Sequence, residues 1–321
     1  MSRINHTPEE LSTAQDPRRV VLITGCSEGG IGYELAVALD STSSYRVFAT
    51  ARNMEKMRTL PLTIERINMD VSDQESVDHA VEDVIRAAGR IDVLVNNAGV
   101  NTGVGPAVEV SVDRYTQTYD VNVFGLLRVT QAVAKHMIPY ARQQGTAKAG
   151  MIVNIGSIVG YLALPYSAAY NSSKAAAHSI SDAMRLELEP FGIKVIVVAP
   201  GKIKSHFGDK GESDIDTPPD GGNYAHVLDQ VRARAQISQV GNSMPARIFV
   251  KQVVKHMEQH GSLGDGKSLG RKGAYLTVGP ASSMAWTCWY LPPFLKDALI
   301  KRVFKLSKIG HFPSQQSKKL N

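Results

Sequence analysis

The sequence predicts an α/β fold in which a doubly wound, parallel sheet of about seven strands carries helices on both faces. Short runs rich in Val and Ile recur along the chain with little polar alternation, which is typical of strands buried on both faces. Helix-length segments separate these runs, and this alternation indicates parallel pairing with right-handed crossovers. With 321 residues, of which 43% are hydrophobic, the chain can bury a large core, and global disorder is excluded.

The predicted elements follow one another in a regular order. The predicted strands cover 20–23, 46–49, 64–68, 92–95, 151–155, 194–198 and 274–278. The predicted helices cover 31–39, 72–88, 112–142, 168–188 and 247–259.

A polar stretch rich in Gly and Pro, 206–245, interrupts this order. We predict a mobile flap there, with a helix over about 224–236, and a plain surface insertion is the alternative. The expected organisation is therefore a polar tail over 1–17, a main domain over 18–280 that contains the flap, and a C-terminal segment over 281–321.

Composition excludes several classes of protein. Two cysteines exclude a disulfide framework and a Cys-rich zinc site, and we expect no metal. The net charge of +6 at pH 7 comes from residues 296–321, where seven basic residues accompany one acidic residue. The remainder is formally neutral, which disfavours a nucleic-acid groove. Because no secretory signal and no apolar run of membrane-spanning length is present, we expect a cytoplasmic protein.

A glycine-rich loop follows the first predicted strand and leads into the first predicted helix. It reads Thr-Gly-Cys-Ser-Glu-Gly-Gly-Ile-Gly over 24–32, with Gly25, Ser27, Gly30, Ile31 and Gly32 as candidate contacts. Glycines let a backbone turn tightly against a pyrophosphate, and the helix N-terminus supplies N–H donors. Because the loop has the required strand–turn–helix context, the sequence predicts a Rossmann-type dinucleotide site.

The end of the second predicted strand indicates which dinucleotide is bound. Dinucleotide sites for NAD place a carboxylate there for the ribose 2′-hydroxyl, but this chain has Arg52 and no carboxylate. Arg52 can pair with a 2′-phosphate, and Ser27 can donate a hydrogen bond to it. The sequence therefore favours NADP(H), with a solvated surface charge as the alternative for Arg52.

A second glycine-rich stretch, 261–268, matches the pattern of a P-loop. A predicted helix precedes it and a short loop follows it, which is the wrong context for that motif. We predict a linker.

The remaining motifs carry a family resemblance over about 18–205. They are Asn96-Asn97-Ala98-Gly99, Asn122, Ser157, Tyr170-x-x-x-Lys174 and Pro200-Gly201. With the phosphate loop, they resemble the short-chain dehydrogenase/reductase family in order and spacing. The loop departs from the family by placing four residues, Cys26 to Gly29, where three are usual.

The resemblance implies an oxidoreductase that interconverts alcohols and carbonyls with NAD(P)(H). It implies that Tyr170 protonates the carbonyl oxygen, that Ser157 holds this oxygen, and that Lys174 holds the nicotinamide ribose. Asn122 is expected to keep a water in a proton relay to Lys174. The expected cofactor contacts are Gly25, Ser27, Gly30, Ile31, Gly32, Arg52, Asp70, Val71, Asn97, Ala98, Gly99, Arg128, Tyr170, Lys174, Pro200, Gly201, Ile203 and Ser205.

Tyr170 and Lys174 lie four residues apart and should share one helical face. A tyrosine with a pKa near 10 is a poor catalyst at neutral pH. Lowering this pKa by about 3 units needs about 4 kcal/mol, which a cation ~4 Å away at a dielectric constant of ~20 can supply. We therefore expect Lys174 to lower the pKa of Tyr170.

Two subfamilies are similar to this chain. The residues 23–27 and 49–52 resemble 17β-hydroxysteroid and retinol dehydrogenases. The residues 185–195 and 200–205, with the C-terminus, resemble NADPH-dependent 1-acyl-dihydroxyacetone-phosphate reductases, which implies a lipid ketone as the substrate. The alternatives are a steroid, retinoid or secondary-metabolite carbonyl reductase or alcohol dehydrogenase, and a non-catalytic NADP-sensing scaffold.

Three basic residues after the Pro-Gly motif, Lys202, Lys204 and His206, are candidates for docking a substrate phosphate. Solvated charges at the root of the flap are the alternative.

The C-terminal segment combines aromatic and basic residues. Trp286 and Trp289 lie in an apolar run over 285–295, and apolar residues at helical spacing follow among lysines. This pattern predicts contact with a membrane or lipid-droplet surface, on the cytosolic face of the endoplasmic reticulum for example. The alternatives are packing on the body, where the segment walls the substrate cleft, and a homodimer contact.

Overall fold

The computed structural model describes residues 16–144, 150–209, 215, 223–224, 227–260, 269–304 and 306. Its strands are β1 (Arg19–Ile23), β2 (Tyr45–Ala51), β3 (Glu65–Asn68), β4 (Val93–Asn96), β5 (Met151–Ile155), β6 (Lys194–Pro200), β7 (Ile203–Lys204), β8 (Met244–Pro245) and β9 (Tyr275–Val278). Seven of them form one sheet in the order β3-β2-β1-β4-β5-β6-β9. All its pairings are parallel, which confirms the predicted fold class. The strands β7 and β8 form a separate parallel pair.

Helices join the strands and cover both faces of the sheet. They are α1 (Ile31–Asp40), α2 (Gln74–Ala88), α3 (Val112–Tyr119), α4 (Leu126–Gln144), α5 (Ala168–Leu188), α6 (His206–Asp209), α7 (Leu228–Ala235), α8 (Ala246–His260), α9 (Arg271–Ala274), α10 (Ser282–Tyr290) and α11 (Pro293–Val303). Short 3₁₀ turns cover Met54–Met57, Ile158–Gly160 and Glu189–Phe191.

The helix predicted over 112–142 is interrupted in the structure. A π-helical segment, Asp120–Gly125, joins α3 to α4. A π-helical turn inserts extra backbone into a helix and is frequent at functional sites. The candidate residue Asn122 lies in this segment, where its side chain turns into the protein interior.

The core divides between the two faces because successive side chains of a buried strand point in opposite directions. Val21 and Ile23 of β1 pack on the face covered by α1 and α8. Val20 and Leu22 pack on the other face, with α2, α4 and α5. The strand order reverses between β1 and β4, so a crevice opens at the carboxyl ends of these two strands, where doubly wound sheets bind their ligands.

The flap is described in part, and its predicted helix is α7, which is shorter than the 224–236 expected. Val231 and Ala235 of α7, with Val227 just before it, pack against Val104 and Tyr166 of the main body. The P-loop-like stretch 261–268, residues 1–15 and residues 307–321 lie outside the described residues. Within the described part of the chain, no helix has the length and apolar character needed to cross a membrane.

Candidate active site

A cavity of about 1300 Å³ opens at the carboxyl ends of β1, β4, β5 and β6. Its lining includes residues that directly follow these strands, among them Gly25, Gly99, Ser157 and Gly201. Ligand pockets of drug size measure roughly 300–1000 Å³, so this cavity has room for a larger ligand or for two ligands side by side.

The glycine-rich loop forms one wall of the cavity. Gly25 and Gly29 have φ angles of 74° and 72°, in the left-handed region that side chains disfavour. Gly30 precedes α1 with extended backbone, and no described side chain caps that helix. The backbone amides of the first turn of α1 therefore have N–H groups available to an anion, at the positive end of the helix dipole.

The root of the flap packs on this loop. The Nδ1 atom of His206 lies 2.9 Å from the carbonyl oxygen of Glu28. A Cβ atom at Gly29 would lie 2.1 Å from the same ring nitrogen, so only glycine allows this approach. The additional residue of the loop is thus accommodated in a turn over 27–30, closed by the Gly30 amide bonding to the Ser27 carbonyl at 3.0 Å.

Positive side chains line the end of the cavity next to β2 and β3. Arg52 is 63% exposed, and its Nη1 atom lies 4.0 Å from Oδ2 of Asp70. Lys56 and Arg58 join it in the lining, and the sequence analysis missed both. They follow Arg52 by four and six residues. A cluster of basic residues after the second strand was therefore the sequence feature that could have predicted them.

The motif after β4 holds the loop in place. Both backbone amides of Asn97 and Ala98 donate to the hydroxyl of Thr24 at 3.0 Å. The Asn97 side-chain amide donates to the carbonyl oxygens of Thr24, at 2.8 Å, and Gly25, at 3.0 Å. Asn97 therefore braces the phosphate loop as well as lining the cavity.

Lys174 links α5 to β5. Its Nζ atom donates to the carbonyl oxygen of Ile155 at 2.8 Å, and its side chain is buried. A Cβ atom at Gly99 would lie only 3.7 Å from Nζ, so the absence of a side chain there keeps the ammonium accessible from the cavity. Burial lowers the pKa of Lys174 to about 8.

Tyr170 lies one turn before Lys174 on the same face of α5. The Nζ atom of Lys174 is 5.8 Å from the centroid of the Tyr170 ring. Burial raises the pKa of Tyr170 to about 12, against smaller lowering effects of Ser157 and Arg234. The expectation that Lys174 lowers this pKa is therefore wrong for this geometry, because desolvation dominates and the ammonium points to Ile155. At neutral pH the hydroxyl is protonated and can donate a proton.

A buried histidine that the sequence analysis missed supports Ser157. The backbone amide of Ser157 donates to Nε2 of His178 at 3.3 Å. The His178 ring packs on Tyr161, with 4.6 Å between ring centroids. His178 follows Lys174 by four residues, so its position on the catalytic face of α5 was readable from spacing.

The side chain of Asn122 is fully engaged with protein groups. It accepts from the Val100 amide at 2.8 Å and donates to the Val100 carbonyl at 2.9 Å and to the Ser173 hydroxyl at 3.0 Å. It lies next to Gly99 and Lys174, since a Cβ atom at Gly99 would be 3.3 Å from its Oδ1 atom. The predicted water relay through Asn122 stays a prediction.

Most of the predicted cofactor residues line this one cavity. They are Gly25, Ser27, Gly30, Ile31, Arg52, Asp70, Val71, Asn97, Ala98, Gly99, Tyr170, Lys174, Pro200, Gly201, Ile203 and Ser205.

Gly32 and Arg128 lie outside the lining. A Cβ atom at Gly32 would be 2.6 Å from the carbonyl oxygen of Gly25, so this glycine allows α1 to pack closely against the glycine-rich loop. The expected cofactor contact of Arg128 has no support in the geometry, because its guanidinium binds the Asp120 carboxylate at 2.7 Å and the Val71 carbonyl at 3.3 Å.

The basic residues proposed for substrate docking separate in the structure. Lys202 and His206 line the cavity, but His206 is engaged with the phosphate loop. Lys204 is exposed and is not among the lining residues. Arg234 of α7, which the sequence analysis missed, lines the cavity instead and is 6% exposed.

The residues present fit a nicotinamide dinucleotide. The uncapped start of α1 suits a pyrophosphate, and the cations around Arg52 suit a further phosphate. Gly99 leaves a cradle beside the buried Lys174 ammonium, which suits ribose hydroxyls. Ser157 and Tyr170 line the same cavity and supply hydroxyl groups at its reaction end.

Comparison with known protein families and with relatives agrees with this site. Residues 19–216 match the family model described as short chain dehydrogenase. A short-chain dehydrogenase of Penicillium ochrochloron is 33% identical over 296 residues, which cover 90% of this chain and 99% of that protein. The NADPH-dependent 1-acyldihydroxyacetone phosphate reductase of Saccharomyces cerevisiae is 29% identical over 306 residues, which cover 92% of this chain and 94% of that protein.

Solved structures share the fold. A short-chain dehydrogenase from Streptomyces avermitilis is 26% identical, with a TM-score of 0.67, and covers 92% of this chain and all of its own. A xylitol dehydrogenase with bound NAD+ and the protein ElxO with bound NADP are each 25% identical, with TM-scores of 0.64 and 0.62. They cover 81% and 83% of this chain, and 97% and 99% of their own chains.

The substitution His178→Gln should reduce the loss of unfolding free energy that occurs as the pH falls below 7. Burial and the Lys174 charge lower the pKa of His178 from 6.5 to about 3. Below pH 6.5 the unfolded chain therefore binds a proton that the folded chain does not, and this residue removes stability as the pH falls from 6.5 toward 3. Chemical denaturation should show a loss between pH 7 and pH 5 that is about 2 kcal/mol smaller in the variant than in the wild type.

The matched control is His79→Gln, because His79 is an exposed histidine on α2. This control should show the wild-type loss. An equal loss in His178→Gln and wild type would contradict the account of His178 as a buried, neutral support of Ser157.

Proposed function

The chain belongs to the short-chain dehydrogenase family, and on that premise we propose that it reduces a ketone to a secondary alcohol with NADPH, most favourably a lipid such as 1-acyl-dihydroxyacetone phosphate. The observation that carries the proposal is the meeting of Ser157, Tyr170 and Lys174 in one cavity with the phosphate loop. Such a set argues against a non-catalytic scaffold, which has no need of a buried, protonated tyrosine beside a buried lysine.

The chain's own groups handle the proton and the orientation of the substrate. When bound, the nicotinamide cofactor supplies hydride to the carbonyl carbon. The Tyr170 hydroxyl donates its proton to the carbonyl oxygen, and the product is the secondary alcohol. Ser157 donates a hydrogen bond to the same oxygen, and His178 fixes the backbone of Ser157. Lys174 would hold the hydroxyl groups of the nicotinamide ribose, since its buried ammonium is accessible from the cavity beside Gly99.

A lipid ketone is favoured over a steroid, retinoid or secondary metabolite. The relative of Saccharomyces cerevisiae that is named for 1-acyldihydroxyacetone phosphate aligns along 92% of this chain. The cavity wall beyond Ser157 is apolar, with Leu162, Leu164 and Met284, which suits an acyl chain. A neutral carbonyl substrate fits the same wall, and the substrate panel below separates the two.

The substitution Tyr170→Phe should abolish ketone reduction and leave NADPH binding intact. It removes the proton donor and changes nothing in the phosphate loop. We expect kcat to fall by at least about 1000-fold, while the Kd for NADPH, measured by fluorescence titration, stays within about threefold. The panel holds an acylated ketone phosphate, its dephosphorylated form, a steroid ketone and a retinoid aldehyde.

Tyr166→Phe is the matched control, because the hydroxyl of Tyr166 makes no hydrogen bond with any described residue and Tyr166 is absent from the cavity lining. Its turnover should equal that of the wild type. Turnover of Tyr170→Phe within tenfold of the wild type would refute the assignment of the proton donor.

The choice of NADPH rests on the adenosine end of the cavity, since both NAD+ and NADP occur among the structural neighbours. Arg52→Asp should move the preference from NADPH toward NADH, because it replaces a cation suited to a 2′-phosphate with an acceptor for a hydroxyl. The ratio of kcat/KM for NADPH to that for NADH should fall by about 100-fold or more. Arg66→Met, which removes an arginine outside the lining, is the control, and an unchanged ratio in Arg52→Asp contradicts the proposal.

The C-terminal helices support contact with an anionic phospholipid surface. Their inner face, with Ala285 and Cys288, packs on Leu162, and Trp286 donates to the Thr277 hydroxyl at 2.8 Å, so the segment walls the cavity. Their outer face leaves apolar side chains exposed, namely Trp289, Tyr290, Phe294, Leu295 and Leu299. Basic residues of α11 accompany them, a combination that suits an interfacial helix pair.

The double variant Trp289→Ser and Phe294→Ser should abolish flotation with liposomes that contain anionic lipid. These side chains are 51% and 71% exposed, and Trp289 also contacts the Tyr161 ring with 5.6 Å between ring centroids. The unfolding midpoint of the double variant is therefore measured beside its flotation. Wild-type protein should float, more weakly at high salt, because the basic residues contribute through a screened interaction. Leu62→Ser, which removes an exposed leucine from another part of the surface, is the control. A wild type that never floats would show that the segment serves packing alone.

A further inference from the structure

Arg234 carries a positive charge into the reaction end of the cavity. It lies on α7, where Val231 and Ala235 anchor the helix to the main body. Its side chain is 6% exposed and lines the cavity together with Ser157 and Tyr170. Its charge acts on Tyr170, whose pKa it lowers, so the guanidinium and the tyrosine hydroxyl lie within electrostatic reach of each other.

The described residues leave this charge without an anionic partner. The Nε atom of Arg234 is buried and makes no hydrogen bond with the part of the chain that the structure describes. Among the described residues no carboxylate forms an ion pair with it, and burial lowers its pKa to about 10. Arg232, two residues away, is 54% exposed and lies 3.8 Å from Asp229. Burying an arginine without a counterion is unfavourable, so this position is better explained by an anion that the cavity receives.

The surroundings of Arg234 define the ligand. The walls of this end include Leu162, Leu164, Met284 and Val303, which are apolar. The carboxylates in the lining, Glu28, Glu55 and Asp70, belong to the phosphate loop and to the β2 and β3 end. A cation beside the proposed proton donor, next to an apolar wall and away from the carboxylates of the lining, fits a molecule with an anionic group near its carbonyl and a long hydrocarbon chain.

We propose that Arg234 binds the phosphate group of the ketone substrate, next to the carbonyl that Tyr170 protonates. This inference rests on the proposed ketone reduction. In an acylated ketone phosphate, one methylene separates the carbonyl carbon from the phosphate ester oxygen, so the phosphate lies close to the hydroxyl of Tyr170 whenever the carbonyl does. A guanidinium can hold two phosphate oxygens at once. The sequence suggested Lys202, Lys204 and His206 for this part. Lys204 lies outside the cavity lining and His206 is engaged with the phosphate loop, while Lys202 lines the cavity together with Arg234.

The test compares two ketones that differ only in the phosphate. We expect Arg234→Met to lower kcat/KM for the acylated ketone phosphate by about 100-fold and to change it for the dephosphorylated ketone by less than about threefold. The neutral ketone also reports any indirect effect of Arg234 on the acidity of Tyr170. Arg234→Lys keeps a positive charge but cannot hold two phosphate oxygens at once, so it should retain part of the activity on the acylated ketone phosphate. Arg232→Met should resemble the wild type on both.

An equal loss on both ketones in Arg234→Met, or no loss on either, overturns the proposal. The Kd for NADPH must stay within about threefold in this variant. A parallel rise in that Kd would place Arg234 at the cofactor and would also overturn the proposal.

A third measurement separates this inference from the proposed substrate. If the wild type reduces neutral ketones but not the acylated ketone phosphate, the proposed lipid substrate fails, and dodecyl phosphate then probes Arg234 directly as an inhibitor of neutral-ketone reduction. If Arg234 binds anions, dodecyl phosphate should inhibit the wild type more strongly than dodecanol does. In Arg234→Met the two compounds should inhibit equally. Equal inhibition by both compounds in the wild type would overturn it.

Discussion

The hydrogen bond from Lys174 to the carbonyl oxygen of Ile155 fixes the position of the whole reaction centre. It joins the face of α5 to the carboxyl end of β5, at 2.8 Å and away from solvent. Because Tyr170 lies one turn before Lys174, this bond also sets where the tyrosine ring enters the cavity. Ser157 follows the same strand, two residues after Ile155, so the proposed proton donor and the residue proposed to hold the carbonyl oxygen share one anchor.

The site concentrates ionisable groups whose burial displaces their pKa values toward neutral forms. Lys174, His178 and Arg234 all have lowered pKa values, and Tyr170 has a raised one. The lowered pKa values of Lys174 and Arg234 reduce stability at neutral pH, where the unfolded chain carries both charges in water. The lowered pKa of His178 reduces stability below pH 6.5, and the raised pKa of Tyr170 does so only above pH 10. Such groupings are typical of functional sites, where anionic ligands restore the missing interactions. Residues of α7, α10 and α11 line the same cavity as Tyr170, and Phe207 of α6 packs on the Tyr170 ring with 5.5 Å between ring centroids.

The sequence predicts the sheet well because parallel strands buried on both faces need continuous apolar runs. The run predicted over 151–155, for example, has the same first and last residues as β5 in the structure. The phosphate loop and the Tyr–Lys pair were also readable, since their chemistry demands fixed spacing. The π-helical segment at Asn122 was not, because an inserted turn leaves the helical periodicity of the flanking residues unchanged. The position of Arg234 depends on how α7 packs over the cavity, and no local sequence pattern encodes that packing. The sequence shows only that Arg234 follows the buried Val231 by three residues and so lies near it on the helix surface. The wrong expectation for the pKa of Tyr170 arose because spacing shows that two residues are near but not how strongly burial desolvates them.

The account stands on direct transfer of hydride to a ketone carbon in this cavity, and isotopic labelling tests it most directly. The protein is incubated with a ketone and with NADPH that carries deuterium at C4, on one face of the nicotinamide ring or on the other, and the product alcohol is analysed by mass spectrometry. The account predicts deuterium on the carbinol carbon from one labelled face and none from the other, because a single cavity presents one face of the ring to the carbonyl beside Tyr170. An alcohol without deuterium from either labelled cofactor, or label from both faces in equal amounts, would contradict it.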